Sequence, residues 1–180
     1  MISVKVSVKI AFCSIVTAIS VSLLLFGGTA VVFAYTMPVF TGIFMMMLKK
    51  TFGLSSAVIS FVSTSLLSLL LVPDKECALM YIFFFGYYPI VKALLERIKL
   101  RPIELVAKFA LFNAAFAAIL LLGTFVFGID AGQTGDFGKY TAIVLFLSGN
   151  IMFICYDYCL TKLVSLYIRK YRPRISKLLR

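Results

Sequence analysis

Residues 73–92 carry the side chains most able to do chemistry, in the order PDKECALMYIFFFGYYPIVK. Three charged residues stand near the start, and a run of aromatic residues follows. Carboxylate, ammonium and phenol groups above an aromatic wall are typical of a site that binds a small molecule. With one more carboxylate from the segment 129–140, the candidate substrate-binding residues are Asp74, Lys75, Glu76, Tyr81, Tyr87, Tyr88 and Asp136. A belt of interfacial tyrosines with solvated loop charges explains the same pattern without a ligand.

Other polar side chains are set deep inside apolar runs. Asp157 and Lys92 lie at similar distances from the ends of their runs, so they can meet as an ion pair, with Lys162 as the competing partner. Asn113 and Asn150 each lie near the middle of a run and can share a hydrogen bond. A charge at the centre of a bilayer costs about 2.5–3.5 kcal/mol, so these intramembrane polar residues should face the interior of a helical bundle. A proton or ion relay would need a longer chain of such groups than the sequence contains.

Signatures of enzymes are absent from the sequence. It has no histidine, no glycine-rich phosphate loop and no G-x-S-x-G motif, so we expect no catalytic residues. The four cysteines lie within or at the ends of apolar runs, which indicates buried free thiols. Cys155 and Cys159 are one helical turn apart, but two thiolates do not complete the usual four-ligand zinc shell. We therefore predict neither a metal site nor a cofactor.

The composition indicates an all-α integral membrane protein. Of the 180 residues 62% are hydrophobic and the mean hydropathy is +1.07, which leaves too little polar surface to cover a soluble domain. The net charge of +11 comes from lysines and arginines in short segments that flank apolar runs. That placement orients helices and meets the anionic lipid of the bilayer, and it argues against nucleic acid as a partner.

Apolar runs long enough to cross a bilayer predict a single domain over residues 1–180, built as a bundle of six transmembrane helices. The predicted spans are residues 10–28, 29–48, 53–72, 77–95, 106–128 and 141–168, and a basic tail occupies residues 169–180. An even number of spans puts both termini on one side, and 16 of the 18 lysines and arginines then fall on that side. The positive-inside rule makes it the cytoplasmic side, in what we expect to be a bacterial inner membrane.

Small residues recur at four-residue spacing on the first predicted span. Ser14, Ala18 and Ser22 form a stripe that lets another helix approach backbone to backbone. Two interpretations follow from the spacing. The stripe either packs against helices of this chain or serves as a partner-docking surface for a separate subunit.

The six-span plan, the small-residue stripe and the polar outer rim resemble the substrate-binding S components of energy-coupling factor (ECF) transporters. The order PDKE followed by FFGYYPIVK is also similar to a group of small membrane proteins of Gram-positive anaerobic bacteria. The ECF resemblance implies a subunit that captures a micronutrient from outside and relies on a separate coupling membrane subunit and a pair of ATPases. In S components an A-x-x-x-A motif on the first helix docks on the coupling subunit, and here Ser14, Ala18 and Ser22 occupy the matching positions with two serines in place of alanines.

An alternative function is a small non-catalytic scaffold of the cell-wall machinery, resembling the rod-shape protein MreD in size and membrane character. A membrane enzyme is a third class, and only the outer carboxylates favour it. The partners that purify with the chain would distinguish an importer subunit from a scaffold.

Overall fold

The computed structural model describes residues 6–29, 31–96, 100–127 and 141–171, and these form a helical bundle with no strand among them. The helices are α1 (Val6–Gly27), α2 (Val31–Phe52), α3 (Leu54–Leu71), α4 (Lys75–Met80), α5 (Tyr88–Leu95), α6 (Arg101–Phe127) and α7 (Thr141–Leu166). Two π-helical segments, Tyr81–Phe85 and Tyr167–Tyr171, follow α4 and α7. The predicted all-α fold is therefore confirmed, while Asp136 and residues 172–180 of the predicted basic tail lie outside the described residues.

Five helical stretches of the described chain are long and apolar enough to cross a membrane. They are Val6–Gly27, Leu54–Leu71, Lys75–Leu95, Arg101–Leu122 and Phe146–Lys170. The predicted count of six is not matched, because α2, the second predicted span, is not among them. α2 is as long as α1, and no charged residue precedes Lys49 and Lys50 in its last turn. The chain is therefore a multi-pass helical bundle.

The fourth predicted span, residues 77–95, is interrupted where its backbone changes from α to π geometry. The Gly86 amide donates to the Tyr81 carbonyl at 2.7 Å, a bond five residues back along the chain. A Cβ at Gly86 would lie 2.6 Å from the Phe61 ring of α3, so only glycine allows that ring so close to the backbone. Pro89 then lies in the first turn of α5, where its missing amide hydrogen costs nothing.

Helices α1, α2 and α3 pack against one another along small side chains. α1 buries Thr17, Ser20, Val21, Leu24 and Gly27, while α3 buries a row of small and hydroxyl-bearing residues. That row is Ser56, Ala57, Ser60, Thr64 and Ser68. We call the α1 and α3 hydroxyl residues of this contact the hydroxyl interface. Small residues let helix backbones approach closely, which is how helices associate in lipid without a hydrophobic driving force.

Aromatic rings hold the other half of the bundle together. Phe84 of the first π-helical segment lies 5.1 Å from the Phe112 ring of α6 and 5.8 Å from the Phe153 ring of α7. Phe112 and Phe153 stack at 4.8 Å, with 14° between their planes. Together with Tyr88 and Tyr156 these rings form the aromatic cluster, which joins α5, α6 and α7. The π-helical segment therefore puts one large ring at the centre of the second half of the fold.

Candidate functional site

Asp157 of α7 is the centre of a group of buried charged residues. One carboxylate oxygen, Oδ1, is paired with Lys92 Nζ of α5 and accepts a hydrogen bond from the Tyr88 hydroxyl at 2.6 Å. The other, Oδ2, lies 3.3 Å from Lys108 Nζ of α6. Lys92 and Lys108 are only 3% and 6% exposed, so both ammonium groups depend on these partners for stability.

Two further carboxylates complete this ionic cluster. Glu96 lies 3.1 Å from Lys92 Nζ and 3.9 Å from Lys108 Nζ, and Glu104 lies 2.7 Å from Lys108 Nζ. Three carboxylates thus surround two ammonium groups, and each lysine contacts at least two acids. Every charge of this cluster is therefore paired, and the pairs join α5, α6 and α7.

The structure confirms the predicted partner of Asp157, which is Lys92. The competing candidate, Lys162, instead places its Nζ over the Tyr158 ring, 5.3 Å from the ring centroid. Sequence reasoning missed the roles of Lys108, Glu96 and Glu104. The signal that would have found them is spacing, because Lys92 with Glu96 and Glu104 with Lys108 are acid–base pairs four residues apart on one helix.

The predicted hydrogen bond between the fifth and sixth spans is also present. The Asn150 amide donates to the Asn113 side-chain oxygen at 3.2 Å and to the Phe146 carbonyl at 2.8 Å. This contact joins α6 to α7 on the opposite side of the aromatic cluster from the ionic cluster. The intramembrane polar residues named from the sequence therefore all face neighbouring helices.

The three charges at the turn between α3 and α4 mainly complete local structure. Asp74 caps α4 by accepting the Glu76 amide at 3.0 Å. The Lys75 ammonium donates to the Leu69 and Val72 carbonyls, both at 2.9 Å, and so satisfies the end of α3. Glu76 is half-buried in the first turn of α4, where its negative charge interacts favourably with the positive end of the helix dipole.

The three candidate ligand tyrosines lie in different surroundings. Tyr81 is fully buried with Leu24 and Val72, and Tyr87 is half-buried with its ring 6.3 Å from Phe61. Tyr88 belongs to both the aromatic and the ionic cluster. The structure therefore does not bring the described members of the candidate substrate-binding set together around one pocket.

The small-residue stripe on α1 lies on the surface of the bundle. Ser14, Ala18 and Ser22 are all exposed, and the Ser14 hydroxyl donates to the Ile10 carbonyl of its own helix at 3.1 Å. Ser14 and Ala18 line one side of a groove of about 500 Å³ between α1 and α3. The stripe is therefore not used for packing within the described chain. Docking of a separate subunit is the interpretation of its spacing that remains.

An apolar cavity of about 90 Å³ lies beside the aromatic cluster, on its side away from the ionic cluster. Its walls come from α2, α4, the first π-helical segment, α6 and α7. Most of the wall is aromatic and includes Phe84, Phe85, Phe112, Phe116, Phe153 and Tyr156. None of the described residues that line it is charged. The cavity can hold a small apolar group, and sequence reasoning did not find it.

Metal chemistry has no support from the described residues. Among them no group of three or more His, Cys, Asp or Glu side chains is arranged to hold a metal ion. Cys155 and Cys159 are exposed free thiols on α7, whereas Cys77 is a buried one. Comparison of the chain with protein-family models, curated proteins and solved structures finds no match.

Proposed function

We propose that this chain is the substrate-binding membrane subunit of an ECF-type micronutrient importer in a bacterial inner membrane. The observation that carries the proposal is the apolar cavity, which lies in the half of the bundle away from Lys92 and Lys108. The positive-inside rule makes that half the outer one. A cavity on the outer side, above an inner end closed by paired charges, is what capture of a solute from outside requires.

The exposed stripe of Ser14, Ala18 and Ser22 supports a second part of the proposal, the docking of a coupling subunit. The chain has no nucleotide-binding motif, so it depends on a separate ATPase pair to drive uptake. Substrate enters the cavity from outside, and reorientation on the coupling subunit then delivers it to the cytoplasm.

Purification of the chain with its native partners tests this function. Mild detergent extraction is expected to recover a coupling membrane protein together with two ATPases.

Labelling of single cysteines on a cysteine-free background tests the orientation, because an impermeant reagent outside intact cells should modify position 132 but not position 50 or 175. Labelling at position 50 alone would show the opposite orientation. The cavity would then lie in the cytoplasmic half of the bundle and could not capture a solute from outside.

The scaffold function is the alternative, and one observation favours it. A docking stripe and an open groove between α1 and α3 would serve a partner helix even if the chain bound no solute. Recovery of cell-wall enzymes in place of the ATPase pair would select this function.

A further inference from the structure

One wall of the apolar cavity is formed at a glycine that close packing does not require. A Cβ added at Gly149 of α7 would lie 3.4 Å from Phe112 Cζ and 3.8 Å from Phe116 Cε2, both ordinary van der Waals distances. At Gly42 of α2, in contrast, a Cβ would lie 2.3 Å from the Phe85 carbonyl oxygen. Glycine lowers helix stability relative to alanine, so Gly149 keeps a space open at a cost that its neighbours do not impose.

The walls of the cavity select an uncharged group. The charged side chains nearest along α6 and α7, Lys108 and Asp157, pair with each other in the ionic cluster. The Tyr156 hydroxyl is directed at α2, because a Cβ at Gly42 would lie 2.8 Å from it. A charged group placed among these rings would lose its hydration without gaining a charged partner among the described residues that line the cavity.

The volume and the walls of the cavity limit the size and type of ligand that it can bind. An apolar cavity of about 150 Å³ in a protein core stays dry and binds benzene. The cavity here, at about 90 Å³, is smaller, so a ring enters only if the wall moves. Met80 and Met152 form part of the wall, and their unbranched, flexible side chains can move to admit a ring. The surrounding phenyl groups offer both edges and faces, the two geometries in which aromatic rings attract each other.

From these contacts we propose that the cavity binds an uncharged six-membered aromatic ring, which is the group by which the subunit recognises its substrate. The substrate role rests on the proposed importer function. The ring site itself does not, because it follows from Gly149, the aromatic wall and the lack of charge among the described lining residues.

Fluorine NMR of the full chain in lipid nanodiscs tests the site with three probes of one shape. Fluorobenzene is neutral, fluorobenzoate carries a negative charge and fluorobenzylammonium a positive charge. Protein-free nanodiscs correct for partitioning of each probe into lipid. Fluorobenzene is expected to bind saturably, and both charged probes about a hundredfold more weakly. Equal affinity for either charged probe would overturn the proposed ligand class.

Substitutions at Gly149 locate the binding. Gly149→Ala adds one methyl group in ordinary contact, so it should fold at least as well as the native chain and weaken fluorobenzene binding about tenfold. Gly149→Val should abolish saturable binding, whereas Ala117→Val, which places the same side chain on the exposed face of α6, should leave it unchanged. Unchanged affinity in Gly149→Ala and Gly149→Val would show that the ring does not bind in this cavity.

The two proposals fail separately. If the ATPase pair and the coupling protein co-purify but fluorobenzene does not bind, the ring site is wrong and the importer function stands. If fluorobenzene binds at Gly149 but only cell-wall enzymes co-purify, the site stands and its role in import is wrong.

Discussion

Helices α1, α2 and α3 meet along small side chains, whereas α5, α6 and α7 meet along rings and charges. In the hydroxyl interface the side-chain oxygens of Ser20, Ser56 and Ser60 are buried without a hydrogen-bond partner. In the ionic cluster every acid and both lysines are paired. The hydroxyl interface thus depends mainly on the close fit of small side chains. The ionic cluster depends on charged groups that pair with one another.

This difference predicts how each region responds to substitution. Removing one member of the ionic cluster leaves the remaining charges with fewer partners, and in lipid no water replaces the lost one. At Ser20, Ser56 and Ser60 of the hydroxyl interface, removing the hydroxyl breaks no hydrogen bond. We therefore expect single substitutions to be far more damaging near Asp157 than along α3.

The largest effect is expected for Asp157→Ala. The change removes the hydrogen bonds that Asp157 accepts from both lysines and from Tyr88, and each bond to a charged group contributes about 1.5–3 kcal/mol to the free energy of unfolding. Denaturant unfolding in detergent measures it. Lys162→Ala, exposed on the same helix, is the matched control and should change stability by less than about 0.5 kcal/mol. Equal effects of the two changes would show that the ionic cluster does not stabilise the fold.

A smaller effect, of opposite sign at two glycines, tests the packing of the aromatic region. Gly42→Ala forces a methyl group against the Phe85 carbonyl oxygen, 2.3 Å away, and overpacking of this kind costs about 1–3 kcal/mol. Gly149→Ala meets ordinary contacts and should gain up to about 1 kcal/mol from the better helix former. Thermal melting of both variants decides the matter. Destabilisation by Gly149→Ala would mean that the cavity wall is tighter than these distances indicate.

Much of the fold follows from apolar run length, but several site residues do not. Depth along two predicted spans was enough to pair Asp157 with Lys92, because an isolated charge at that depth must find an opposite one. Depth says nothing about direction around a helix, so the role of Lys108 was missed although Glu104 precedes it by four residues. The cavity was missed for a similar reason, since only three-dimensional packing tells whether a glycine such as Gly149 is crowded or free.

The outer turn shows a different limit of sequence reasoning. The sequence predicts Asp74 and Lys75 as ligand residues because they lie beside an apolar run rich in aromatic residues. In the structure their side chains bond to the backbone at the junction of α3 and α4. Helix ends leave unsatisfied amides and carbonyls, and a charged side chain in a short turn commonly satisfies them.

The exposed face of α1 should tolerate bulk that its buried face does not. Because Ala18 is exposed and Ser20 is fully buried, Ala18→Leu should leave the stability of the isolated chain within about 0.5 kcal/mol, while Ser20→Leu should cost about 1–3 kcal/mol. Co-purification with partner subunits should fail for Ala18→Leu, because added bulk prevents close helix approach. A folded Ala18→Leu variant that keeps all its partners would show that the stripe is not the docking surface.

The smallest expected effect is at the hydroxyl interface itself, and it separates two serines of α3. Ser60 is 1% exposed and its hydroxyl has no partner, whereas Ser68 is fully buried and its hydroxyl donates to the Ser65 carbonyl at 3.0 Å. A buried hydroxyl without a partner retains its desolvation cost, so Ser60→Ala should be neutral or stabilise the chain by up to about 1 kcal/mol.

Ser68→Ala removes a similar volume from the same helix but also removes a hydrogen bond, so it should destabilise the chain by about 0.5–1.5 kcal/mol. Denaturant unfolding of both variants under one condition gives the difference directly. If Ser60→Ala proves the more damaging change, its hydroxyl must be bonded in the membrane to a group outside the described chain. The hydroxyl interface would then resemble the ionic cluster, in that both would depend on specific partners.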